Sequence, residues 1–541
     1  MENIDFEQEI QKLEEENLEK SWDSRDDYLV KKLYQADQYP KFKELDNYAG
    51  HLKIEDDKDM FFWLIRNNTK TQKELVIWLN GGPGCSSFDG LFLEVGPFDF
   101  DLKGQIVMRE YSWVNRVDVL FIDQPIGAGF SFGTSPSTYD EGSADLENFI
   151  EKFYELFPEY HTYKLYITGE SIAGTYIVKI AQRMLRSNRI PIEGLLIGNG
   201  LIDPKTTYLS YLPFLESNGL INGTALSMMK ERQQECAFGY ETYKYKKIKV
   251  SQCENVLNVL SDYQMIGGDT SKCLNIYDYR LIESRPACGA DWPPNLTYLK
   301  SYINQPIVKS QLNMVKSKQN LWVECNTDVY RTYSADLTSD AAIYALPEVI
   351  EKIKQVVLFA GDKDIVCNTL AHEYMIGNMT FLGGTGFSRH MENYLDWKVN
   401  GKSTGRFNSE RGLTYIEIYN ASHMPAVDNP LAMLDILSFF EDIDDYSLQG
   451  MYDSNVKRQL RLSHTNNDTP EKSSGASLIL LLVVLISAAM IMAARYISSM
   501  KIKSQTQWQP VVDREEQEVY ILEDLEDTRN DDDDRKIEDR V

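Results

Sequence analysis

Residues 164–181 read Lys164-Leu-Tyr-Ile-Thr-Gly-Glu-Ser171-Ile-Ala-Gly-Thr-Tyr-Ile-Val-Lys-Ile-Ala181. The first half is β-branched and aromatic, which predicts a buried strand, and the second half has apolar side chains at helical spacing. Ser171 lies between them, where a sharp turn would expose its Oγ beside a helix N-terminus, as in a nucleophile elbow. The pattern is Gly169-x-Ser171-x-Ala173 rather than Gly-x-Ser-x-Gly, so a structural turn before an ordinary helix is the alternative interpretation.

The segments on either side of this stretch alternate between apolar strands and helices, which predicts a mainly parallel sheet with helices on both faces. The other predicted strands span residues 61–65, 74–80, 117–125, 194–198, 354–361 and 413–419. Further helices are predicted at 143–157 and at about 430–441. Between about residues 203 and 345 the alternation fades, and this region contains Cys236, Cys253, Cys273, Cys288 and Cys325. We therefore predict an inserted region stapled by disulfides, which we call the cap.

Composition limits the class of protein. With 541 residues, of which 43% are hydrophobic, the chain has room for one large domain with appendages or for two to three ordinary domains. A net charge of −26 argues against a nucleic-acid-binding protein. Much of that charge lies in residues 511–541, which resemble a solvated tail. The seven cysteines suit an oxidising compartment, with three disulfides and one free thiol.

Residues 476–494 contain no charged side chain and are long enough to cross a bilayer as a helix. Arg495, Lys501 and Lys503 follow, so the positive-inside rule places the acidic tail, residues 495–541, in the cytoplasm. Residues 448–475 are then a polar stalk, and the domain at 22–447 is lumenal. A buried core helix is the alternative interpretation of the apolar stretch.

Residues 1–21 are acidic, and we expect them to be a poorly packed charged segment that is helical at most. A lumenal domain should begin with a signal peptide, and this segment has no apolar core. Either the start of the gene model is truncated, which we favour, or the topology prediction is wrong. Sequons for N-glycosylation support a lumenal location; they are Asn67, Asn222, Asn295, Asn378, Asn420 and Asn467.

Two late strands each end in polar residues, which are Gly361-Asp-Lys-Asp364 and Asn420-Ala-Ser-His423. Together with Ser171 they give the order serine, acid, histidine, which is the order in α/β-hydrolases. A nucleophilic serine needs a base within hydrogen-bond reach and a carboxylate that fixes the tautomer of that base. The other histidines have no such position and are interpreted as surface or packing residues: His51, His161, His372, His390 and His464. The predicted fold class is α/β, an α/β-hydrolase fold with an inserted cap and one C-terminal transmembrane helix.

Four motifs resemble those of the serine carboxypeptidases, and the resemblance runs from about residue 45 to residue 445. The motifs are Trp78-Leu-Asn-Gly-Gly-Pro-Gly-Cys-Ser-Ser87, Gly169-Glu-Ser171, Gly361-Asp-Lys-Asp364 with Cys367-Asn368, and Ser422-His-Met424. The membrane anchor with its acidic tail, and the stretches 196–204 and 288–293, resemble the fungal branch of the family that processes pheromone precursors. The resemblance implies residence in the trans-Golgi network and removal of C-terminal Lys and Arg from secreted precursors.

The resemblance also implies a role for each matching residue, and it implies no cofactor and no metal ion. Ser171 is the expected nucleophile, His423 the general base, and Asp364 the orienting carboxylate, with Asp362 as the competing choice. The backbone N–H groups of Gly82 and Ile172 are expected to form the oxyanion hole. The residues expected to contact the substrate are Trp78, Asn80, Gly81, Glu94, Glu170, Cys367 and Met424. Among them, Asn80, the Gly81 N–H, Glu94 and Glu170 are expected to hold the terminal carboxylate of the substrate.

Two carboxylic acids can bind a carboxylate only if they share protons, and burial together with like charge raises the pKa values of such a pair. We therefore predict an acidic optimum, with affinity for the C-terminus falling as Glu94 and Glu170 ionise. The chain departs from the family at Ile172, where a Tyr usually follows the serine. We expect this departure to change the preference for the penultimate residue of the substrate.

The same resemblance implies which cysteines form disulfides. Cys85 should pair with Cys325, and the other cap cysteines should form the pairs Cys236–Cys288 and Cys253–Cys273. Cys367 then matches a free thiol that lines the active site of the family. The alternative interpretation is an inert buried cysteine.

The first of these disulfides leads to a hypothesis about specificity. Asp89 lies four residues after Cys85, and Glu324 directly precedes Cys325. The disulfide would bring both acids to the pocket beside Asn80, where they would select Lys or Arg at the C-terminus of the substrate. Two solvated loop acids are the alternative.

The predicted function is a serine carboxypeptidase that removes single C-terminal residues, preferentially Lys and Arg, from secretory precursors. Its partners would be peptide and pro-protein C-termini, the membrane, and sorting machinery that contacts the tail. Two rivals stay open, because one fold supports several chemistries. One is an esterase or acyltransferase of the same fold, and the other is a membrane-anchored binding protein with a decayed site.

Overall fold

The centre of the molecule is an eleven-stranded sheet. The pairs β4-β5, β10-β11 and β13-β14 form separate two-stranded sheets. Numbered in chain order, the strands of all these sheets are β1 (Leu45–Glu55), β2 (Lys58–Asn67), β3 (Glu74–Leu79), β4 (Phe98–Phe100), β5 (Ile106–Met108), β6 (Asp118–Ile122), β7 (Phe132–Gly133), β8 (Lys164–Glu170), β9 (Gly194–Gly198), β10 (Lys272–Leu274), β11 (Ile282–Ser284), β12 (Gln355–Gly361), β13 (Thr380–Phe381), β14 (Gly384–Thr385), β15 (Leu395–Val399), β16 (Lys402–Glu410) and β17 (Leu413–Ile418).

The computed structural model describes residues 2–69, 73–243, 246–262, 271–314, 320–440, 453–457 and 459–460. All of these belong to one unit, Met1–Asn466, and the second unit is Asn467–Val541. The predicted transmembrane helix at 476–494, the tail at 495–541, and most of the predicted stalk lie outside the described residues. Within the described ranges, no helix is both long and apolar enough to cross a membrane.

The strand order is β1-β2-β6-β3-β8-β9-β12-β17-β16-β15, and β7 pairs with β2. The six strands from β6 to β17 in this order pair in parallel, whereas the strands at both edges are antiparallel. The prediction of a mainly parallel sheet is confirmed for the centre, and each predicted strand overlaps an observed one, although the strand predicted at 117–125 is shorter, at Asp118–Ile122. Because the parallel strands bury both faces, their sequences are continuously apolar.

The α-helices cover both faces of the sheet or build the cap. They are α1 (Glu2–Glu19), α2 (Tyr139–Leu156), α3 (Ala173–Ser187), α4 (Pro204–Ser217), α5 (Gly223–Tyr243), α6 (Ser251–Asp262), α7 (Leu296–Ile303), α8 (Pro306–Gln311), α9 (Thr327–Ser334), α10 (Leu346–Lys352), α11 (Thr369–Asn378), α12 (Pro425–Asp428) and α13 (Pro430–Asp435). A π-helical turn at Gly90–Glu94 follows β3. Short 3₁₀ helices lie at Arg25–Tyr28, Pro40–Glu44, Trp113–Asn115, Pro158–Thr162, Ala342–Tyr344, Met391–Asn393 and Ile436–Phe439.

Two apolar clusters sandwich the sheet, because successive side chains of a strand point to opposite faces. On β3, Val76 and Trp78 join the cluster that also contains α12 and α13 residues. Leu75, Ile77 and Leu79 join the opposite cluster, which contains α2, α3 and α10 residues. The sheet is therefore buried on both sides and forms a rigid platform for the loops at its ends.

The cap has a small core of its own, formed by α4, α5 and α6. The later part of the predicted cap belongs to the main body instead, because α7 and α8 pack in the cluster beside Trp78. Three disulfides are present, and the predicted Cys85–Cys325 pair is one of them. The predicted pairing of the other four cysteines is wrong, since the observed pairs are Cys236–Cys253 and Cys273–Cys288. Both are local, because α5 packs on α6 and β10 pairs with β11.

Within the predicted segment 1–21, residues Glu2–Glu19 form the helix α1, as expected, but this helix is packed on the body rather than loose. The Asn17 side chain is buried, and its Nδ2 donates to the Ser310 backbone oxygen at 3.0 Å. Lys20 Nζ donates to Asn313 Oδ1 at 2.7 Å. Ile10 and Leu13 pack against the main core. The polar contacts of Asn17 and Lys20 explain why an apolar pattern did not reveal this docking.

The predicted stalk also begins too early. Val456 and Leu460 are buried in the main core. The Asn400 N–H donates to the Asp453 backbone oxygen at 2.7 Å, and Ser454 forms a bridge with Val399 of the edge strand β15. The globular part therefore extends to at least Leu460 rather than ending at residue 447.

The predicted glycosylation sequons differ in the exposure of their asparagines. Asn222, Asn378 and Asn420 are exposed, whereas Asn467 lies outside the described residues. Asn67 is half-buried and its Nδ2 donates to the Val114 oxygen at 3.2 Å. Asn295 is also half-buried, and its Nδ2 donates to Asp99 Oδ1 at 2.9 Å. Modification of each sequon stays a prediction.

Candidate active site

Ser171 lies between β8 and α3, with a left-handed backbone conformation at φ 61°. Such a conformation is costly for a non-glycine residue and is held here by the surrounding bonds. The Ser171 N–H donates to the Gly198 oxygen at 3.1 Å, and the Ser171 oxygen accepts from the Leu201 N–H at 2.8 Å. Gly81 is required beside this turn, because a Cβ at that position would lie 2.6 Å from Ser171 Cβ.

His423 and Asp364 follow the adjacent parallel strands β17 and β12. His423 Nδ1 lies 2.7 Å from Asp364 Oδ2, and both side chains are buried. A hydrogen bond to a carboxylate makes Nδ1 the donor, which leaves Nε2 free to accept a proton. Asp364 Oδ2 also accepts from Asn199 Nδ2 at 2.8 Å and from the Cys367 N–H at 3.1 Å. These bonds fix the carboxylate as an acceptor that orients the imidazole.

The competing acid, Asp362, does not contact His423. Its Oδ1 accepts from the Ala421 N–H at 3.2 Å, and its Oδ2 lies 3.1 Å from Lys363 Nζ. The geometry therefore favours Asp364 as the orienting carboxylate.

The other histidines take packing or surface positions or lie outside the described residues, and His390 is exposed. His372 is buried, and its Nε2 accepts from the Gly200 N–H at 3.2 Å. His51 is also buried and contacts the Phe130 oxygen at 3.0 Å. His161 packs against Tyr154, and His464 lies outside the described residues.

A cavity of about 280 Å³ opens between the main domain and the cap. The nucleophile and the base both contribute to its wall. The lining residues that the sequence predicted as site residues are Asn80, Gly81, Gly82, Asp89, Glu170, Ser171, Glu324, His423 and Met424. The disulfide Cys85–Cys325 also lines the cavity and connects its two sides.

Asn80 is held at one end of this cavity by a dense hydrogen-bond network. Its Oδ1 accepts from Trp78 Nε1 at 2.7 Å and from the Gly90 N–H at 3.0 Å. Its Nδ2 donates to Glu170 Oε1 at 3.1 Å. Trp78 is buried beneath, so it orients Asn80.

Glu94 and Glu170 share a hydrogen bond next to Asn80, and both are buried. Burial raises the pKa of Glu94 to about 7. Burial, followed by the charge of Glu94, raises the pKa of Glu170 well above its usual range. The pair is therefore protonated in weakly acidic solution and can donate hydrogen bonds to an anion.

Asp89 and Glu324 both reach the cavity, as the hypothesis about specificity required. Asp89 is buried, and its Oδ1 has no hydrogen-bond partner in the described structure. Burial raises the Asp89 pKa well above its usual range, and the nearby charge of Glu324 raises it further. Glu324 differs, because Lys300 Nζ lies 3.1 Å from its Oε2.

Cys367 is a free, buried cysteine directly beside the acid and base. Burial raises the pKa of its thiol well above the usual range, and the Asp364 charge adds to this. The ligand atoms of Asp364, Cys367 and His423 lie within 4.8 Å of one another, and this is the group in the described residues whose spacing could hold a metal ion. The tight hydrogen bond between His423 and Asp364 instead suits proton transfer.

Ile172 does not line the cavity among the described residues; its side chain is buried in the cluster that contains α2 and α3. Its expected effect on the penultimate residue of the substrate stays a prediction. Three residues were missed: Tyr277, whose ring lies 5.2 Å from that of His423, Trp292, which stacks on Tyr277, and Asn199. Asn199 and Trp292 lie in the stretches 196–204 and 288–293, which the sequence analysis noted only for their resemblance to the fungal branch.

The fold and this constellation define the class of α/β serine hydrolases. The serine carboxypeptidase family profile matches residues 37–442, and the chain belongs to this family. It is 38% identical over 431 residues to the pheromone-processing carboxypeptidase KEX1 of Puccinia graminis f. sp. tritici, covering 76% of this chain and 65% of that relative. It is also 38% identical to the pheromone-processing carboxypeptidase kex1 of Penicillium rubens, covering 78% of this chain and 72% of the relative.

A solved structure is similar over the same part of the chain. The crystal structure of Kex1(delta)p, a prohormone-processing carboxypeptidase from Saccharomyces cerevisiae, superposes with a TM-score of 0.71 and 31% identity. It covers 78% of this chain and 98% of that chain.

Proposed function

We propose that this protein is a serine carboxypeptidase that removes single C-terminal residues, preferentially Lys and Arg, from secretory precursors. The observation that carries the proposal is the position of Asn80 and Glu170 in the wall of the cavity that contains Ser171 and His423, with Glu94 buried and hydrogen-bonded to Glu170. A terminal carboxylate bound there accepts hydrogen bonds from the protonated acids. An internal peptide group carries no negative charge and offers a single carbonyl oxygen, so it matches this pair of donors less well.

The mechanism follows from the positions of the groups. His423 Nε2 takes the proton of Ser171 Oγ as the oxygen attacks the carbonyl of the last peptide bond. The N–H groups of Gly82 and Ile172 donate to the oxyanion. His423 then protonates the leaving amine, which departs as a free amino acid, and water hydrolyses the acyl-enzyme by the reverse proton path. Asp364 stabilises the imidazolium that forms in each half of the reaction.

The pH dependence follows from the carboxylate-binding pair. Below pH 7 the pair is neutral and binds an ionised C-terminus, and above pH 7 Glu94 ionises and repels it. KM should therefore rise about tenfold for each pH unit above that value, since one proton is lost. Glu94→Gln cannot ionise, so its KM should change much less between about pH 6 and about pH 8.

Steady-state kinetics on one peptide across this range measures the effect. Glu373→Gln is a matched control, because burial also raises the Glu373 pKa to about 7 and its other neighbours are Glu417 and Arg406. An equally steep KM profile in Glu94→Gln would show that another group controls binding of the C-terminus.

The preference for Lys and Arg is assigned to Asp89 and Glu324. A bound cation would find the unpartnered Asp89 Oδ1 in a buried site, where a charge-assisted hydrogen bond contributes about 1.5–3 kcal/mol. Asp89→Asn should therefore lower the ratio of kcat/KM for Lys over Leu by about 10- to 100-fold. Glu324→Gln should have a smaller effect, because Lys300 already neutralises this acid.

Peptides that differ only in a terminal Lys, Arg or Leu provide the measurement. Asp328→Asn is the control, since Asp328 is an exposed acid four residues after Glu324. An unchanged Lys-to-Leu ratio in the Asp89→Asn, Glu324→Gln double variant would contradict the assignment. A C-terminal amide should resist cleavage. Release of nothing from any of these peptides by the folded protein would favour the esterase or acyltransferase, or the binding protein with a decayed site.

The cellular setting is part of the same proposal. The uncharged stretch 476–494, followed by Arg495, Lys501 and Lys503, supports a single-pass anchor with a lumenal catalytic domain. Relatives named for pheromone processing support a location in the trans-Golgi network. The exposed sequons support glycosylation, and the acidic tail offers a surface for sorting machinery.

A further inference from the structure

Residues 275–281 connect β10 to β11 in the cap, and we call residues 275–280 the bridging segment. The disulfide Cys273–Cys288 ties β10 to the loop that follows β11. Asn275 is buried, and its Oδ1 accepts from the N–H groups of Tyr277 at 2.9 Å and Asp278 at 3.2 Å. The bridging segment therefore has a fixed shape of its own.

One side of the bridging segment is bonded to the loop that carries Asp364. The Ile365 N–H donates to the Ile276 oxygen at 3.2 Å, and the Tyr279 N–H donates to the Lys363 oxygen at 3.1 Å. These two bonds lie immediately after and immediately before Asp364. The cap therefore holds the backbone on both sides of Asp364 by hydrogen bonds.

The other side is bonded to the loop that carries His423. The His423 N–H donates to the Tyr277 oxygen at 2.8 Å. Arg280 Nη1 donates to the Asn420 oxygen at 2.8 Å. The Tyr277 ring also packs against the His423 ring, so the base is held through both its backbone and its side chain.

Arg280 connects the bridging segment to the base through a chain of charged and polar groups. Its Nε and Nη2 each donate to the Asp278 carboxylate at 2.7 Å. Nη2 also donates to the Asp428 carboxylate. The Asp428 Oδ2 accepts from the Ser422 N–H at 2.7 Å, and Ser422 directly precedes His423. Bidentate guanidinium bonds of this kind fix geometry strongly.

The sheet alone does not place the acid and the base. Gly361 and Ile418 are paired at the ends of β12 and β17, but Asp364 lies three residues and His423 five residues further along their loops. Proton transfer needs these groups within a fraction of an ångström of the productive geometry. The bridging segment is hydrogen-bonded to both loops, and these bonds fix the loop positions that the strand pairing does not.

We propose that the bridging segment positions Asp364 and His423, and that Arg280 is a positioning residue acting on His423 through Asp428 and Ser422. This inference rests on the catalytic roles proposed above. It assigns to the cap a part in the chemical step, in addition to lining the cavity. Arg280 itself does not touch the reacting atoms.

The test compares Arg280→Gln with Arg406→Gln in the full-length chain. Arg406 is a matched control, because it also donates twice to one carboxylate, that of Glu417, and both arginine side chains are 27% exposed. Arg280→Gln should lower kcat by about 10- to 100-fold with KM little changed, since displacement of a catalytic group affects the chemical step. Arg406→Gln should leave both parameters close to wild type.

A spectroscopic readout separates positioning from general damage. The low-field proton signal of the His423 Nδ1–H should broaden or shift in Arg280→Gln and stay in Arg406→Gln. Asp428→Asn should reproduce the loss, and the double variant should be no worse than either single one, because the groups act as a unit. Asp428→Asn also keeps the test open if Arg280→Gln does not fold.

The rate at which a fluorophosphonate labels Ser171 tests the positioning proposal independently of the proposed peptide substrate. Labelling needs the nucleophile and base but no peptide C-terminus. If wild type is labelled but cleaves no peptide, the substrate proposal fails, and slower labelling of Arg280→Gln still supports positioning. The positioning proposal is overturned if wild type is not labelled, if folded Arg280→Gln keeps its kcat and its labelling rate, or if Arg406→Gln loses as much.

Discussion

Replacing Ser171 with alanine should lower kcat for release of a C-terminal lysine by about 10⁶-fold, because the covalent step is lost while the rest of the site persists. Peptide binding should change little, since Asn80, Glu94 and Glu170 are bonded to each other rather than to the serine. The φ of 61° at position 171 is held by bonds of the backbone, which alanine also makes. The variant should therefore fold and bind without cleaving.

Release of free lysine, followed by mass spectrometry, and peptide binding, followed by calorimetry, measure the two effects. Ser143→Ala is a matched control: Ser143 is buried in α2, and its Oγ donates to the Tyr139 oxygen of the same helix. That variant should keep kcat close to wild type. Residual cleavage by Ser171→Ala above about 1% of wild type would exclude the acyl-enzyme route, since such routes lose far more.

Replacing Asp364 with asparagine should lower kcat by about 10⁴-fold. Asp364 Oδ2 accepts from three donors, those of His423, Asn199 and Cys367, so the amide oxygen of the variant is expected at the same place. The imidazole then keeps a partner but loses the negative charge that stabilises its protonated form. The loss should appear in kcat, because the substrate carboxylate binds elsewhere.

Asp362→Asn is the matched control for this experiment. The two acids are two residues apart, yet Asp362 contacts Lys363 and the Ala421 N–H rather than the base. Asp362→Asn should therefore keep a kcat close to wild type. A larger loss in Asp362→Asn than in Asp364→Asn would reverse the assignment of the orienting acid.

The parallel centre of the fold could be predicted from sequence because its strands are buried on both faces and therefore read as unbroken apolar runs. The edge strands β1, β15 and β16 were missed, since their sequences mix polar and apolar residues. The docking of α1 was missed for a related reason: it depends on the amide of Asn17 and the amine of Lys20. Polar contacts over long sequence separations leave no periodic signal.

The serine, acid and histidine could be placed because each follows a strand end, and parallel strands deliver their ends to one edge of the sheet. Among its described residues, the cap has no parallel strands whose ends could predict which of its residues lie close together. Its disulfides were paired wrongly because four cysteines allow three pairings and spacing does not choose among them. Tyr277 was missed because its place beside His423 depends on the path of the β10–β11 hairpin, which no local pattern encodes.

The last described residues run along β15, the outer strand of the sheet. An uncovered outer strand offers unpaired N–H and C=O groups to any neighbouring chain. Here Asp453 accepts from Asn400, Asn455 donates to Lys398, and Val456 is buried against the core. A truncated form of the domain should therefore keep its chain through Leu460. A form that ends nearer residue 447 would expose the edge of β15, through which molecules can pair with one another and aggregate.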